Sequence, residues 1–453
     1  SASSKLLYSG LRYFLRGRVT AARDAVRETR ALEAHVAPGL IRRVATVVSV
    51  PPGTSLGARA VRSEFALRAY GAMAASAGGA AWRVVSPDEA RGLVPSIAPE
   101  ARGRAASIAS EPRGTFVLTD EAQLDDTRLV LATALAAADL GAAVINHARV
   151  TAIAPEREHV RLAVRGPEGE ISVVAKSVVN ASGAWIDVVR RMEDPHAVPI
   201  ARLVKGVQVV LSVDEPWGTA LSIAGDADRI AMPWHGGLLV GVAEAPFDGP
   251  LGDHTATEAD IDRALIVASE LLPAAAARRD RIRAVSAGLY VHPRDDARVR
   301  QDTVTSVGRL GVVTIAGGTL TTHRLGAMDA LQLLPERVRP AKRPPSLATI
   351  VAAAPALQRA TISPSTMAHL ASMYGDRVAD VLAVAEGDAT ALERIHPDGP
   401  DIWAQVRYAI ATELATTVDD ITDRRTSLRW RGLADETVRE RIARMLLPRL
   451  VPS

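Results

Sequence analysis

Cysteine is absent from the 453 residues, which excludes disulfides, Cys-ligated zinc, iron–sulfur clusters and thiol nucleophiles. Aromatic residues make up only 4%, too few for a base-stacking surface. Neither sign of charge dominates, because 54 Lys and Arg face 51 Asp and Glu, and a nucleic-acid partner is therefore not expected. No apolar run approaches the roughly 18 residues of a membrane-spanning helix, and no signal segment begins the sequence. A protein of the cell interior is expected.

The length and the 48% hydrophobic content are sufficient for two or three domains. Repeated prolines in residues 337–346 predict a linker, because proline resists both helix interiors and central strands. Beyond it the pattern is helical, with Ser363 as an N-cap, Pro364 as the first helical residue and Gly375 as a stop. We expect a first region over 1–336 and a helical domain over 347–453.

The first region alternates between strand and helix patterns. A helix is predicted from Thr127 to Leu140, with Asp125-Asp126 as its acidic start and Gly141 as its stop, and a strand is predicted over residues 142–153. Residues 159–164 and 171–179 flank a turn rich in glycine and proline, which predicts a hairpin. This alternation indicates an α/β or α+β fold.

Two apolar strands end in small residues and lead into helices. Residues 178–179 precede Asn180-Ala181-Ser182-Gly183, and residues 312–316 precede Gly317-Gly318-Thr319-Leu320-Thr321. Ligands of open α/β sheets lie beyond the carboxyl ends of such strands, where small residues let a cofactor approach the backbone. Exposed amides at the second helix start suit an anion or an electron-rich carbonyl. Ordinary strand-to-helix turns are the alternative interpretation of both loops.

Further blocks accompany these loops in a fixed order along the chain. They are Ser3-Ser4-Lys5-Leu6 with Gly10-Leu11-Arg12-Tyr13, Asp125-Asp126-Thr127-Arg128-Leu129-Val130, Val204-Lys205-Gly206, Met232-Pro233-Trp234, and, in the tail, Val406-Arg407-Tyr408, Glu413, Asp419-Asp420 and Arg424-Arg425-Thr426. Together with the two loops they resemble the FAD-dependent glycerol-3-phosphate dehydrogenase family, nearly end to end.

The resemblance implies an FAD/NAD(P)-binding Rossmann-like domain interleaved with an antiparallel-sheet substrate domain, followed by a helical C-terminal domain. Members of the family open with a βαβ unit that carries a Gly-x-Gly-x-x-Gly turn for the FAD pyrophosphate. No such turn occurs in this sequence, and we expect a Rossmann-like domain without its first βαβ unit. The expected complete form binds FAD. A flavin-less paralogue that acts as an interaction protein is the alternative.

The resemblance also implies roles for individual residues. Ser3, Ser4 and Lys5 are expected along the flavin and its phosphates, and Arg149 and Val150 at the adenine. The loops are expected to contribute Ala181, Ser182 and Gly183 at the pyrophosphate and ribitol, and Gly317, Gly318, Thr319, Leu320 and Thr321 at the isoalloxazine. Arg12 and Tyr13 resemble the residues that lie closest to the substrate. His235 and His323 are the candidate catalytic bases, with a structural role as the alternative for each.

Departures from the family pattern concern the substrate. Tyr290 and Thr319 stand where the family has an Arg and a Lys that would clamp a phosphate. The implied activity is oxidation of sn-glycerol 3-phosphate or a related polyol or hydroxy compound, with hydride transfer to flavin N5 and electrons passed to quinone or another acceptor. An unphosphorylated hydroxy or amino acid-like substrate is the alternative. Arg300 is the residue most able to supply the missing charge.

The last segment, residues 441–451, mixes arginines with apolar residues. Such a stripe fits either a packed helix or contact with an anionic membrane surface. The expected location is the cytoplasm, with the inner face of the membrane left open, and a homodimer is also left open. No metal is expected.

Overall fold

The structure is a computed structural model. It describes residues 3–7, 10–15, 17–50, 64–76, 82–94, 115–215, 217–223, 226–294, 303–339, 348–355 and 362–447, and all structural statements concern these residues. Arg300 and most of the predicted linker lie outside the described residues, as does the side chain of Arg12. The predicted domain boundaries therefore stay predictions.

One large, mostly antiparallel sheet dominates the first region. Its strands are β1 (Leu6–Leu7), β2 (Arg42–Val50), β3 (Trp82–Val85), β4 (Thr115–Gln123), β9 (Ala201–Leu211), β10 (Ala220–Ile223), β11 (Asp226–Trp234), β12 (Gly237–Pro246) and β13 (Ile282–Pro293). The order is β1-β4-β2-β10-β11-β12-β9-β13, with β3 also paired to β4, and only β2 and β10 run parallel among these described pairs.

Two three-stranded sheets complete this region. One contains β5 (Arg149–Glu156), β6 (His159–Gly166) and β7 (Gly169–Ala175), and the other contains β8 (Val179–Asn180), β14 (Thr303–Val307) and β15 (Val313–Gly317). The predicted hairpin is confirmed as β6 and β7. The strand predicted over 142–153 is wrong in its first half, because regular pairing begins only at Arg149. Leu140 and Ile145, which precede it, are exposed at 88% and 69%.

Helices connect and cover the sheets. In chain order they are α1 (Leu11–Leu15), α2 (Val19–Ala31), α3 (Glu64–Ser76), α4 (Pro87–Leu93), α5 (Asp126–Asp139), α6 (Ile186–Glu193), α7 (Glu258–Leu271), α8 (His323–Leu333), α9 (Pro364–Tyr374), α10 (Val378–Ala383), α11 (Trp403–Ala411), α12 (Val418–Asp420), α13 (Leu428–Arg431) and α14 (Glu436–Leu446). The predicted α5 begins where Asp125 accepts a hydrogen bond from the Thr127 amide at 2.9 Å.

The two faces of the large sheet bury different cores because successive side chains of a strand point to opposite sides. Val207, Val209 and Leu211 of β9 face α7. Val210 and its neighbour Ala284 of β13 face the other way, toward Leu6 and Trp430. We call this second side the inner face.

The helical domain is confirmed. Ser363 caps α9 by accepting the Thr366 amide at 3.2 Å, and Gly375 ends the helix with a φ of +56°. A buried pair holds this domain to α5, because the two guanidinium nitrogens of Arg128 lie 2.8 and 3.1 Å from the carboxylate of Glu413.

Ile442 and Leu446 of α14 are buried in the core of the helical domain, so its apolar stripe is already packed. The residues after Leu447 lie outside the described part. None of the helices in the described ranges has the length and apolar content needed to cross a bilayer.

Candidate active site

The loop after β8 is shaped by the buried side chain of Asn180. Its amide nitrogen donates to the carbonyl of Ile186 at 3.0 Å, and its oxygen accepts the hydroxyl of Ser182 at 2.6 Å. These bonds close the turn over residues 181–183, where Gly183 has a φ of +58°. Ala181 and Gly183 remain exposed. The loop thus presents main chain rather than side chains.

The loop after β15 has the same character. Gly317 and Gly318 have φ values of +73° and +83°, and both are exposed. A Cβ atom at Gly318 would lie 2.8 Å from Oγ1 of Thr303, so this position has no room for a side chain. The hydroxyls of Thr319 and Thr322 then pair at 3.1 Å as the chain turns into α8.

The two loops lie at one edge because β8 and β15 are parallel, with Val313 opposite Val179 and Thr314 opposite Asn180. Carboxyl ends of parallel strands meet at the same side of a sheet. We call residues 181–183 and 317–321 the paired loops. The structure therefore brings together both groups of residues that the sequence indicated.

Strand β13 borders the paired loops, since it packs against both β15 and the 3-10 turn Gly183–Trp185. Tyr290 lies on the inner face of β13, opposite Val204 of β9. Its ring covers Gly206, because a Cβ atom there would lie 2.3 Å from ring atom Cε2. The strand that carries Tyr290 thus adjoins the strand that leads into the loop containing Thr319.

Gln208 is a residue that the sequence analysis missed. It lies on the inner face opposite Ser286 and is 1% exposed. Neither amide atom has a hydrogen-bond partner among the described residues, an arrangement that costs free energy unless a ligand or water satisfies it. A lone glutamine within the apolar sequence Val207 to Leu211 was the available signal.

Helices α1 and α2 close another side, since α2 packs against the 3-10 turn Leu320–Thr322. Arg324 and Glu28 form an ion pair there at 3.5 Å, and burial raises the pKa of Glu28 despite it. Tyr13 is 8% exposed, packed on alanines of α2, with the Arg18 guanidinium 5.3 Å from its ring centre.

His323 is the first residue of α8, beside the paired loops. Its Nδ1 lies 2.7 Å from the carbonyl oxygen of Leu320, so Nδ1 carries the proton and donates it. Burial lowers the pKa of His323, which favours the neutral ring. A neutral ring protonated on Nδ1 leaves Nε2 as the nitrogen that can accept a proton.

His235 lies at the other end of the large sheet. The turn that contains His235 follows Trp234, the last residue of β11. Trp234 pairs with Gly237 of β12, and the next residue, Leu238, pairs with Leu211 at the end of β9. Tyr290 is opposite Val204, seven residues earlier on β9. At about 3.4 Å per residue the two ends are roughly 20 Å apart or more. The structure does not bring His235 together with Tyr290 and the paired loops.

Lys5 is fully buried, and its ammonium pairs with the carboxylate of Asp126. It also lies 5.1 Å from the ring centre of Trp430 and 5.6 Å from that of Trp234. Burial opposes ionisation of Asp126, but the Lys5 charge outweighs this and lowers its pKa. The charge of Lys5 is thus already balanced. Ser3 accepts the Lys5 amide at 3.2 Å, and Ser4 is half-buried beside it.

Arg149 and Val150 begin β5, in the sheet next to β8. Arg149 is exposed, and Val150 packs in a core that also contains Val178, the residue before β8. The adenine role that the resemblance implies for this pair stays a prediction.

The residues present fit the ring-bearing part of FAD. Exposed glycine backbone in the paired loops leaves room for a flat ring, and Gln208 on the adjoining sheet has an unsatisfied amide. A Gly-x-Gly-x-x-Gly turn for the pyrophosphate does not occur in the sequence.

This fold and this site define a class, the flavin-dependent oxidoreductases. Residues 1–329 match the family described as FAD dependent oxidoreductase, and residues 348–450 match the C-terminal domain of alpha-glycerophosphate oxidase. Because the first match covers most of the chain, this chain belongs to the FAD-dependent oxidoreductase family. It is a glycerol-3-phosphate dehydrogenase-like member, and its cofactor is FAD.

Individual relatives agree. A glycerol-3-phosphate dehydrogenase of Synechocystis is 25% identical over 94% of this chain and 82% of its own length. Glycerol-3-phosphate dehydrogenase 2 of Mycobacterium tuberculosis is 29% identical over 67% of this chain, which spans 55% of that relative. The chain therefore covers about half of some relatives.

Solved structures show the same fold. The glycerol-3-phosphate dehydrogenase from Bacillus halodurans complexed with FAD superposes with a TM-score of 0.71, at 19% identity, over 99% of this chain and 86% of its own. The L-alpha-glycerophosphate oxidase from Mycoplasma pneumoniae with FAD bound has a TM-score of 0.56 at 13% identity, over 77% of this chain and 88% of its own.

Proposed function

We propose that this protein oxidises a carbinol carbon of sn-glycerol 3-phosphate or a related polyol or hydroxy compound, with hydride transfer to FAD and electrons passed on to quinone or another acceptor. The observation that carries the proposal is that the paired loops lie at one sheet edge and adjoin β13, the strand that carries Tyr290. Bound FAD supplies the redox chemistry. The residues of the chain bind the substrate, orient it and move its hydroxyl proton.

Each residue has a proposed task. The amides at Gly318 and Thr321 would hold the FAD ring and supply hydrogen-bond donors for negative charge on it, as donors at a helix start do. Arg12 and Tyr290 position the substrate. His323 accepts the hydroxyl proton through Nε2, because it adjoins the paired loops and its lowered pKa keeps it neutral near pH 7.

The substrate carries less negative charge than the family pattern implies. Tyr290 and Thr319 provide no formal charge where two cations would clamp a phosphate. Arg191, Arg202 and Arg294 do line a nearby cavity of about 740 Å³ beside Ala184, but all three are exposed to solvent. This difference favours the second candidate, an unphosphorylated hydroxy or amino acid-like substrate at the same site.

The edge at β8 takes a further βαβ unit that supplies the pyrophosphate-binding amides. Val179 of β8 is 45% exposed, and β8 is an edge strand of its sheet among the described strands. An exposed apolar edge of this kind favours pairing with another strand. Residues 1–453 alone should accordingly retain well under one FAD per chain. A purified chain of these residues with one FAD each would contradict this.

The test of the function is anaerobic reduction of bound flavin in the complete gene product. Glycerol 3-phosphate, glycerol, a 2-hydroxy acid and an amino acid are added separately, and bleaching of the flavin absorbance is followed. Bleaching by one of the first three supports oxidation of a carbinol, and bleaching by the amino acid alone supports the second candidate. A flavoprotein that none of them bleaches would contradict the proposal.

A further inference from the structure

A second cavity, of about 480 Å³, lies between the His235 end of the large sheet and the helical domain. We call it the interdomain cavity. Pro233, His235 and Gly236 border it on the sheet side, and His369 and Ser372 of α9 border it on the helical side. It is separated from Tyr290 by most of the length of β9. The redox chemistry proposed above has no use for it.

Three guanidinium groups converge on the turn at His235. Arg42 reaches the Pro233 carbonyl at 3.5 Å, and Arg283 donates to the Gly236 carbonyl at 2.9 Å. A Cβ atom at Gly236 would lie 3.5 Å from Nη1 of Arg431. Within the described part of the chain, none of these three arginines forms a salt bridge; Arg42 and Arg431 instead bond the neutral side chains of Gln123 and Ser427.

The nearby acids are already engaged. The carboxylate of Asp401 accepts hydrogen bonds from Nε2 of His369 at 2.8 Å and from the hydroxyl of Ser427 at 2.6 Å. Asp125 lies 3.8 Å from the ammonium of Lys5. The three guanidinium groups therefore outnumber the one carboxylate at the turn, that of Asp401. Burial together with His369, Arg431 and Arg42 sets the pKa of His235 well below its usual value, although Asp401 acts in the other direction.

We propose that the interdomain cavity binds a phosphate dianion, carried by a small organic phosphate, between Arg42 and Arg431. Both guanidinium groups line the cavity, and guanidinium forks match the oxygens of phosphate, while Arg283 holds the turn through the Gly236 carbonyl. The cavity is larger than a bare phosphate, which leaves room for the organic part. Because it joins the sheet to α9, the bound anion also fastens the helical domain to the sheet.

The test measures binding by calorimetry at constant ionic strength, with inorganic phosphate and with glycerol 2-phosphate. Saturable binding at one site is expected. Tighter binding of glycerol 2-phosphate identifies an organic phosphate as the ligand, and tighter binding of inorganic phosphate identifies free phosphate. Arg431→Gln should weaken binding about tenfold or more, since it removes one charge-assisted contact. Arg444→Gln, on the exposed face of α14, is the matched control and should bind like the wild type.

A second variant keeps the test decisive if Arg431→Gln does not fold. Ser372 is exposed at the cavity wall on α9, so Ser372→Asp places a carboxylate in the cavity with little demand on the core. It should abolish phosphate binding and raise the unfolding midpoint measured without phosphate. Wild-type affinity in folded Ser372→Asp, or no saturable binding by the wild type, would overturn the proposal.

The pH dependence of sulfate binding provides an independent readout, because sulfate stays a dianion between pH 5.5 and 8. The groups that face His235 are Arg42 from β2, Arg283 from β13, His369 from α9, Asp401 ahead of α11 and Arg431 from α13, with Asp125 and Arg128 across the cavity. A bound dianion favours the charged ring, so sulfate should bind more tightly as the pH falls. His235→Gln should flatten this dependence, and an unchanged slope would contradict the placement.

Discussion

The two ends of the inner face differ in whether their polar groups have partners within the protein. At the Tyr290 end, glycine backbone is exposed in the paired loops, and midway along the inner face the amide of Gln208 has no partner among the described residues. At the His235 end, buried charges are matched one against another, as in the pairs Lys5 with Asp126 and Arg128 with Glu413.

The difference separates a surface built for a ligand from one built for docking. Burying a charge is costly unless it is paired, so the matched charges place the helical domain in one position on the sheet. Unsatisfied backbone and amide groups are costly as well, and they persist where a bound molecule completes them. At the docking end, the arginines beside the interdomain cavity are the exception to this matching of charges, because they form no salt bridge within the described part of the chain.

The largest expected effect is at the docking end. Glu413→Ala leaves the buried Arg128 guanidinium without its carboxylate, which should lower the free energy of unfolding by about 3–5 kcal/mol. Chemical denaturation measures this. The double variant Arg128→Met with Glu413→Leu removes both charges and should be less destabilised than Glu413→Ala. If the single variant unfolds like the wild type, the pair does not hold the domain.

At the ligand end, Gly318→Val should reduce flavin content severely in the complete gene product. A β-branched residue is strained at a φ of +83°, and its Cβ would lie 2.8 Å from Thr303. The measurement is flavin absorbance per polypeptide. Arg279→Ala, which changes an exposed side chain far from the loops, serves as control and should keep its flavin. Normal flavin content in Gly318→Val would refute the assignment of this loop.

The assignment of the substrate site can be tested by restoring two positive charges. Tyr290→Arg combined with Thr319→Lys should lower KM for glycerol 3-phosphate by about tenfold or more, because charge-assisted contacts to phosphate are each worth about 1.5–3 kcal/mol. The wild type should oxidise this compound weakly or not at all. Steady-state kinetics on both proteins decide the matter. A low KM in the wild type would show that the two substitutions do not weaken phosphate binding.

The smallest expected effect concerns pH. Burial lowers the pKa of both His235 and His323, so the unfolded chain binds more protons than the folded chain below about pH 6.5. Stability should therefore fall as the pH drops from 7 toward the folded-state pKa values. His323→Asn should reduce this loss by on the order of 1 kcal/mol, whereas His196→Asn, at an exposed position, should not. Equal slopes of the free energy of unfolding against pH in the wild type, His323→Asn and His196→Asn would contradict this expectation.

Local pattern was enough to predict the loops and the main helices. Small residues after an apolar strand indicated both Asn180 to Gly183 and Gly317 to Thr321, because close backbone approach requires them. The distance between His235 and Tyr290 was beyond prediction, since it depends on the register of β9, β12 and β13. The strand expected from residue 142 failed because strand formation needs a neighbour to pair with, and none of the described strands pairs there.

The central claim is that the redox centre lies at the paired loops. A crystal structure of the flavin-loaded protein tests it directly. We expect the isoalloxazine against the backbone of Gly318 and within hydrogen-bond reach of the Gln208 amide. A ring bound in the interdomain cavity beside His235, with the paired loops free of ligand, would contradict the account.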